Sequence, residues 1–193
     1  FVTLLGPSGC GKTTMLSIIA GFVKSDSGVV ELDSEVIKGA NPDRSFVFQN
    51  YALFPWMSVK NNILFPMKQQ KIPKEEESRR LEHLLEISKL KGHENLYPHQ
   101  ISGGMKQRTA LVRALAGKPK VLLMDEPLGA LDLIMRRSLQ SEIENICREE
   151  KVTVIMVTHD VDEAVYLSDK VILMSTDKGK IVQELMNDLP RPR

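Results

Sequence analysis

The segment GPSGCGKT at residues 6–13 constrains the fold of this chain more strongly than any other feature. It matches the pattern G-x-x-x-x-G-K-[ST] at every fixed position, and an apolar, strand-like run over residues 1–5 precedes it. A helical pattern follows over residues 13–20, and Gly21 is well placed to end that helix. A strand, a glycine-rich turn and a helix in this order predict a loop that binds phosphate.

The chemistry of such a loop assigns roles to its residues. Glycines let the backbone N–H groups wrap around phosphate oxygens where a side chain would collide, and the following helix adds its positive N-terminal end. Lys12 should reach the β- and γ-phosphates of a nucleotide, and the Thr13 hydroxyl should coordinate Mg²⁺. The candidate nucleotide-binding residues are Gly6, Pro7, Ser8, Gly9, Cys10, Gly11, Lys12, Thr13 and Thr14.

The rest of the chain predicts an α/β fold. Continuous apolar strands between amphipathic helices indicate a mainly parallel sheet with both faces covered. Helices are expected from Pro73 onward, over residues 132–149 and over residues 161–169. The predicted strands are VVEL (29–32), SFVFQ (45–49), VLLMDEP (121–127), VTVIMV (152–157), KVILMS (170–175) and KIVQEL (180–185), the last two forming a hairpin around DKGK.

Composition bounds the class of partner. The 193 residues include 26 basic and 25 acidic side chains, for a formal net charge of +1. Since non-specific nucleic-acid binders are usually strongly basic, we expect no nucleic-acid partner. The apolar runs are of strand length and no secretory leader is recognised, so work at a membrane would need a partner protein. The cysteines Cys10 and Cys147 suggest neither a disulfide framework nor a zinc site.

Two acidic residues close the strand that begins at Val121. An apolar strand that ends in carboxylates places them at the carboxyl edge of a parallel sheet, where α/β proteins bind ligands. Asp125 would assist Mg²⁺, and Glu126 would accept a proton from an attacking water or orient it. His159 follows the next buried strand in the same way and is expected near the γ-phosphate. The alternatives are a solvated acidic turn and a structural histidine.

A second anion-binding helix terminus is predicted at ISGGMKQR, residues 101–108. Ser102 is a good helix N-cap, and Gly103 and Gly104 leave the backbone open to an anion. A monomeric nucleotide hydrolase has no use for a second phosphate-binding terminus. The segment makes sense if it completes a site on another copy of the chain.

Taken together, these motifs resemble the nucleotide-binding domain of an ABC transporter, a P-loop NTPase with a helical subdomain. The resemblance covers essentially the whole chain. Its motifs stand in one order: Walker A at residues 6–13, the Q-loop Gln49, the signature ISGGM, Walker B at residues 121–125 with Glu126, the D-loop GALD at residues 129–132, and the switch histidine His159.

The resemblance implies an ATPase that works as a dimer. Two subunits would sandwich two ATP molecules, with Ser102, Gly103 and Gly104 capping the γ-phosphate held by the partner subunit. Lys12, Gln49, Glu126 and His159 would be the catalytic residues, and Thr13, Gln49 and Asp125 the Mg²⁺ ligands. Residues 1–193 would form one ATPase domain that lacks its upstream strands, with the helical subdomain at about residues 55–118.

A finer resemblance concerns the transported solute. The stretch PDRSFVFQNYALFPWMSVKNNI and the ending DLPRPR resemble importers of the nitrate, sulfonate and taurine group. This implies permease subunits as partners, an external solute-binding protein acting indirectly, and a peripheral position on the cytoplasmic face of the cell membrane. Phe54 and Trp56 would help to seat a helix of the permease. Ordinary core packing of Trp56 is the alternative.

Two departures and two rival functions remain open at this stage. Met105 stands where the signature usually has glutamine, and Gly129 stands where the D-loop usually has serine. One rival is a soluble ABC-type ATPase in translation or DNA repair. The other is a regulatory module that closes on ATP without transport. A stable complex with a permease would argue against both.

Overall fold

The computed structural model describes residues 1–129, 132–177, 179–191 and 193. The strands are β1 (Val2–Leu5), β2 (Glu31–Leu32), β3 (Glu35–Val36), β4 (Arg44–Val47), β5 (Val121–Asp125), β6 (Thr153–Thr158), β7 (Lys170–Met174) and β8 (Ile181–Met186). Within the described residues, six of them form a sheet in the order β4-β5-β6-β1-β7-β8, and β2 pairs with β3. Strand β8 is antiparallel to β7, and the other neighbours in the sheet are parallel. The predicted mainly parallel α/β fold is confirmed.

Helices cover both faces of the large sheet. They are α1 (Lys12–Ala20), α2 (Val59–Gln69), α3 (Lys74–Ile87), α4 (Gly103–Ala116), α5 (Leu133–Glu149) and α6 (Val161–Leu167). Strand β5 contributes to two apolar clusters, because successive side chains of a strand point to opposite faces. Leu122 and Met124 pack with residues of α4 and α5, whereas Val121 and Leu123 pack with Leu16 of α1. The buried parallel core therefore lies between helices.

Three helices and a 3₁₀ turn (Pro98–Gln100) are inserted between β4 and β5. Helix α2 packs against α4. Helix α3, expected from Pro73 onward, begins one residue later at Lys74, and Pro73 is its N-cap. Ser102 caps α4 as predicted by accepting a hydrogen bond from the Met105 N–H. Helix α2 was not predicted and contains Pro66, which removes one helical hydrogen bond.

The observed strands differ from the predicted ones by one or two residues at their ends. The strand expected over residues 29–32 covers only Glu31–Leu32 (β2). Strand β3, which pairs with β2, was not predicted. The strand expected to run to Gln49 ends at Val47, where its pairing with Met124 of β5 stops. The N–H of Tyr51 then donates to the Phe48 carbonyl, so the chain turns and Gln49 lies outside the sheet.

The closing strands form the expected antiparallel pair, although Lys178 in the predicted turn lies outside the described residues. Helix α1 ends at Gly21 as predicted, with a φ of 81° and an N–H bonded to the Ile18 carbonyl. In the part of the chain that the structure covers, every helix is too short or too polar to cross a membrane.

Candidate nucleotide-binding site

The candidate site lies along one edge of the sheet. Strands β4, β5, β6 and β1 are consecutive neighbours and parallel, so their carboxyl ends meet at that edge. Gly6 follows β1, Glu126 follows β5 and His159 follows β6, while Gln49 lies two residues beyond β4. Residues that are far apart in sequence are therefore brought together by strand order, as expected for a parallel sheet.

The phosphate-binding loop has the backbone that its glycines permit. Gly9 and Gly11 adopt φ values of 81° and 96°, which residues with a Cβ rarely adopt. A Cβ on Gly6 would lie 2.6 Å from the Met174 carbonyl oxygen, so this position also excludes a side chain. Pro7, Ser8 and Gly9 are exposed, and Cys10 is buried beneath the loop.

Lys12 folds over this loop. Its side chain is buried, and Nζ donates to the carbonyl oxygens of Gly6 at 2.7 Å and Pro7 at 2.9 Å. The ammonium group is thus held beside the N–H groups of the loop, where a phosphate chain would bring negative charge. Thr14 is exposed on the first turn of α1.

A pair of oxygen donors lies next to Lys12. The Thr13 hydroxyl donates to Oδ1 of Asp125 at 3.0 Å, which joins the start of α1 to the end of β5. Burial raises the pKa of Asp125 above its ordinary value, and the hydrogen bond from Thr13 opposes that shift. A partly desolvated carboxylate beside a hydroxyl suits a hard cation such as Mg²⁺, which prefers oxygen ligands.

Glu126 makes polar contacts with both His159 and Gln49. Its Oε1 lies 3.2 Å from Nδ1 of His159, and its Oε2 accepts a hydrogen bond from the Gln49 amide at 3.4 Å. Its own N–H donates to the Val157 carbonyl, and it adopts a φ of 42°, in the left-handed region. Glu126 therefore has a strained backbone at the point where its carboxylate contacts the other two side chains.

The loop that carries His159 is braced by residues the sequence reasoning did not single out. The hydroxyl of Thr158 donates to Glu163 at 2.7 Å and accepts from the Asp160 N–H at 3.0 Å. Arg136 of α5 donates to Asp160 at 2.8 Å. Burial raises the pKa of Glu163, and the hydrogen bond from Thr158 opposes that shift. The feature of the sequence that could have indicated this bracing is Thr158, a threonine at the end of a buried strand.

The ISGGM segment forms the capped start of α4. Ser102 is exposed and caps α4, and its carbonyl accepts a hydrogen bond from Lys106. Gly104 is buried, and a Cβ there would lie 3.2 Å from the sulfur of Met135 on α5. Among the hydrogen bonds of the described residues, none joins Ser102, Gly103 or Gly104 to the phosphate-binding loop.

The D-loop is described only in part. Ala130 and Leu131 lie outside the described residues, whereas Gly129 and Asp132 are covered. The Gly129 N–H donates to the Glu126 carbonyl at 3.1 Å, and the Asp132 side chain caps α5 by accepting from the Met135 N–H at 2.9 Å. Both ends of the segment are therefore anchored beside the site.

Comparison with known proteins places the chain in a family. A family model described as ABC transporter matches residues 1–129. An uncharacterized ABC transporter ATP-binding protein of Methanocaldococcus jannaschii is 48% identical over all of this chain and 72% of its own length. The aliphatic sulfonates import ATP-binding protein SsuB of Bacillus cereus is 46% identical over all of this chain and 76% of its own length. The bicarbonate transport ATP-binding protein CmpC of Synechococcus elongatus is 45% identical, but the chain covers only 30% of it.

Solved structures agree with this assignment. The dimeric, post-hydrolysis ATP-binding cassette MJ0796 bound to ADP and Pi is 30% identical, with a TM-score of 0.80 over 98% of this chain and 86% of the other. The protein cbiO1 of Clostridium perfringens, part of an ABC transporter complex, is 27% identical, with a TM-score of 0.87 over 96% and 76%. Sequence, fold and site geometry thus lead to one conclusion: the chain belongs to the ABC transporter family of ATP-binding proteins and is an ABC-type ATPase.

Proposed function

We propose that this chain is the ATP-hydrolysing subunit of an ABC importer for a small anion such as nitrate, bicarbonate, taurine or another sulfonate. The observation that carries the proposal is the placement of Glu126 between Gln49 and His159, beside the Thr13–Asp125 pair. Similarity to proteins named for nitrate, bicarbonate and sulfonate import supports the choice of solute class.

Glu126 acts as the general base in this proposal. Both of its carboxylate oxygens have a nitrogen partner and keep lone pairs for a water proton. As the water oxygen attacks the γ-phosphorus, one water proton passes to Glu126 and the bond to the β-phosphate oxygen breaks. His159 and Gln49 hold the carboxylate and, through their remaining polar atoms, the attacking water.

Lys12 and the oxygen donors hold the phosphates. Lys12 exchanges its carbonyl partners for β- and γ-phosphate oxygens, because an ammonium group is attracted more strongly to an anionic oxygen than to a neutral carbonyl. Thr13 and Asp125, with the Gln49 carboxamide, would hold Mg²⁺, which when bound neutralises part of the phosphate charge. The raised pKa of Asp125 means that its ionised form is poorly solvated, so a nearby cation is favoured.

A second copy of the chain completes the site. Ser102 is exposed at the start of α4, where the first N–H groups of a helix have no partner within the helix and can bind an anion. We infer that they close on the γ-phosphate held by a partner subunit. The dimeric form of the similar cassette MJ0796 supports this arrangement. Residues 1–193 form one ATPase domain in this proposal, with residues 55–118 as its helical subdomain.

A permease docks on the face formed by Phe54, Trp56 and Phe65. The ring of Phe54 lies 5.6 Å from that of Trp56 and 4.7 Å from that of Phe65. Trp56 is 70% exposed, so the alternative that it packs in the core is wrong. An aromatic cluster with one exposed ring and two half-buried rings suits a partner helix. The chain would then lie peripherally on the cytoplasmic face of the membrane, with the solute-binding protein acting through the permease.

Reconstitution tests the proposal. The chain and its permease subunits are placed in proteoliposomes with ATP on the side of the ATPase, and uptake of labelled nitrate, bicarbonate and an alkanesulfonate is measured. We expect uptake of one of these anions, lost with Glu126→Gln. An ATPase that binds no permease would overturn the importer proposal in favour of a soluble ATPase or regulatory module.

A further inference from the structure

The backbone immediately after Gln49 is held in a strained form. Tyr51 and Ala52 adopt φ values of 65° and 45°, so two consecutive residues with a Cβ lie in the left-handed region. That region is unfavourable for such residues, and it persists only where the surroundings hold it in place. Local hydrogen bonds from Tyr51 N–H to Phe48 and from Ala52 N–H to Asn50 describe the bend.

Arg113, in the last turn of α4, forms hydrogen bonds with this bend from outside the loop. One guanidinium nitrogen donates to the Ala52 carbonyl at 2.6 Å, and the other donates to the Tyr51 carbonyl at 2.9 Å. The guanidinium also lies over the Phe54 ring, 5.4 Å from its centroid. The planar guanidinium presents two donors in a fixed fork to the two neighbouring carbonyls, whereas a lysine ammonium is a point charge on a flexible stem.

The far end of the loop has its own anchor. The side chain of Asn62 on α2 is buried, accepts from the Phe54 N–H and donates to the carbonyls of Phe54, Met57 and Ser58. The bend at residues 51–52 is therefore fixed by Arg113 on one side and continues into a segment fixed by α2. Gln49 lies two residues before the bend, with its amide 3.4 Å from Glu126.

We propose that Arg113 is a positioning residue for hydrolysis: it holds the bend at Tyr51–Ala52 and thereby places Gln49 against Glu126. Since α4 begins at the Ser102 cap, the same helix links the placement of Gln49 to the segment offered to the partner subunit. Phe54, under the guanidinium, also belongs to the proposed permease face. The inference rests on the proposed roles of Gln49 and Glu126.

A double-mutant cycle separates this role from simple packing. Steady-state kcat, KM, ATP affinity and melting temperature are measured for Arg113→Ala, Arg113→Lys, Gln49→Ala and the double variant Arg113→Ala/Gln49→Ala. Arg79→Ala is the matched control, because Arg79 is exposed on α3 and, within the described residues, its ion pair is with the likewise exposed Glu75. Emission of Trp56, the one tryptophan of the sequence, reports the same loop.

We expect Arg113→Ala to lower kcat about 10- to 100-fold, the cost of misplacing a catalytic group, with ATP affinity changed less than about 3-fold. Arg113→Lys, which keeps the charge and loses the fork, should restore little, and Arg79→Ala should resemble the parent. In the Gln49→Ala background, Arg113→Ala should add less than about 2-fold, because the group it places is already gone. Trp56 emission should lose its response to Mg-ATP in both Arg113 variants.

Multiplicative effects of Arg113→Ala and Gln49→Ala on kcat would overturn the inference, as would an Arg113→Lys variant with parental kcat. If Arg113→Ala fails to fold, Arg113→Lys and its double variant with Gln49→Ala decide the question. A Gln49→Ala variant with normal kcat would also overturn it, whereas the role of Glu126 is tested separately by Glu126→Gln. Failure of the Arg113 inference and failure of the proposed role of Glu126 are therefore distinguishable.

Discussion

The Nδ1 atom of His159 lies 3.2 Å from Oε1 of Glu126, so the ends of two neighbouring parallel strands meet in one polar contact. Glu126 follows β5 directly, and His159 follows β6 directly. The contact is a consequence of strand order, since the carboxyl ends of parallel strands lie at one edge. It fixes one oxygen of the carboxylate to which we assign the water proton.

Replacing that carboxylate by an amide separates binding from chemistry. We expect Glu126→Gln to keep ATP affinity and to lower turnover about 10²–10⁴-fold, the usual range for the loss of a general base. Phosphate release and nucleotide affinity are measured on the same preparation. Glu82→Gln, at an exposed position of α3, is the control. Near-normal turnover in the Glu126 variant would remove this residue from the role of base.

Removing the ammonium of Lys12 should act on binding itself. Lys12→Ala loses charge-assisted bonds to phosphate, and we expect ATP affinity to fall at least about 10-fold, since each such bond contributes about 1.5–3 kcal/mol. Calorimetric titration with ATP measures the change. Lys24→Ala, an exposed lysine beyond α1, serves as the control and should bind like the parent. Unchanged affinity in the Lys12 variant would defeat the phosphate-loop assignment.

Because the pKa of Asp125 is raised in the folded state, replacing its carboxyl group should increase the stability of the fold by an amount that depends on pH. A carboxyl group whose pKa is higher in the folded state costs stability once ionised, and the cost grows as pH rises from the ordinary value of about 3.9 through the raised pKa. We therefore expect Asp125→Asn to raise the melting temperature at pH 7 without nucleotide. The gain should disappear below about pH 4.

The same substitution should abolish Mg²⁺-dependent hydrolysis, because a neutral amide replaces a charged oxygen ligand. Melting curves at several pH values and phosphate release at varied Mg²⁺ concentration give both readouts. A lower melting temperature at pH 7 would contradict the burial argument. Full Mg²⁺-dependent turnover would contradict the assignment of Asp125 as a ligand.

Gly21 should tolerate no side chain. It ends α1 with a φ of 81°, and a Cβ there would overlap the carbonyl group of Gly39. Gly28 has a similar φ of 76° but open space around its Cβ, so it isolates the backbone cost. We expect Gly28→Ala to cost about 1–2 kcal/mol and Gly21→Ala about 1–3 kcal/mol more. Denaturant unfolding measures both, and equal losses would contradict the steric argument.

The positions of the motifs directly after predicted strands are enough to predict much of this site from the sequence. A motif after β1 and acids after β5 are enough to place Thr13 beside Asp125, because both strands end at one edge. Gln49 is harder, since the edge strand β4 stops two residues before it and the chain then bends. The contact between Arg113 and the carbonyls of Tyr51 and Ala52 joins segments about sixty residues apart, and no local pattern predicts it.

Local patterns also fail where tertiary packing outweighs propensity. Helix α2 forms around Pro66 because Ser58 caps it and its buried residues, such as Ile63 and Met67, pack in the core. Trp56 shows the reverse case, since composition favours burial and the structure leaves most of the ring exposed.

ATP should bring two copies of this chain together through Ser102, Gly103 and Gly104. Light scattering on Glu126→Gln with Mg-ATP, with Mg-ADP and without nucleotide tests it most directly. Ser102→Phe in the same background should bind ATP but fail to associate, because a bulky ring replaces the exposed hydroxyl. For Glu126→Gln alone, we expect a doubled mass with Mg-ATP and a monomer with Mg-ADP. A Glu126→Gln chain that binds ATP tightly and stays a monomer would contradict it.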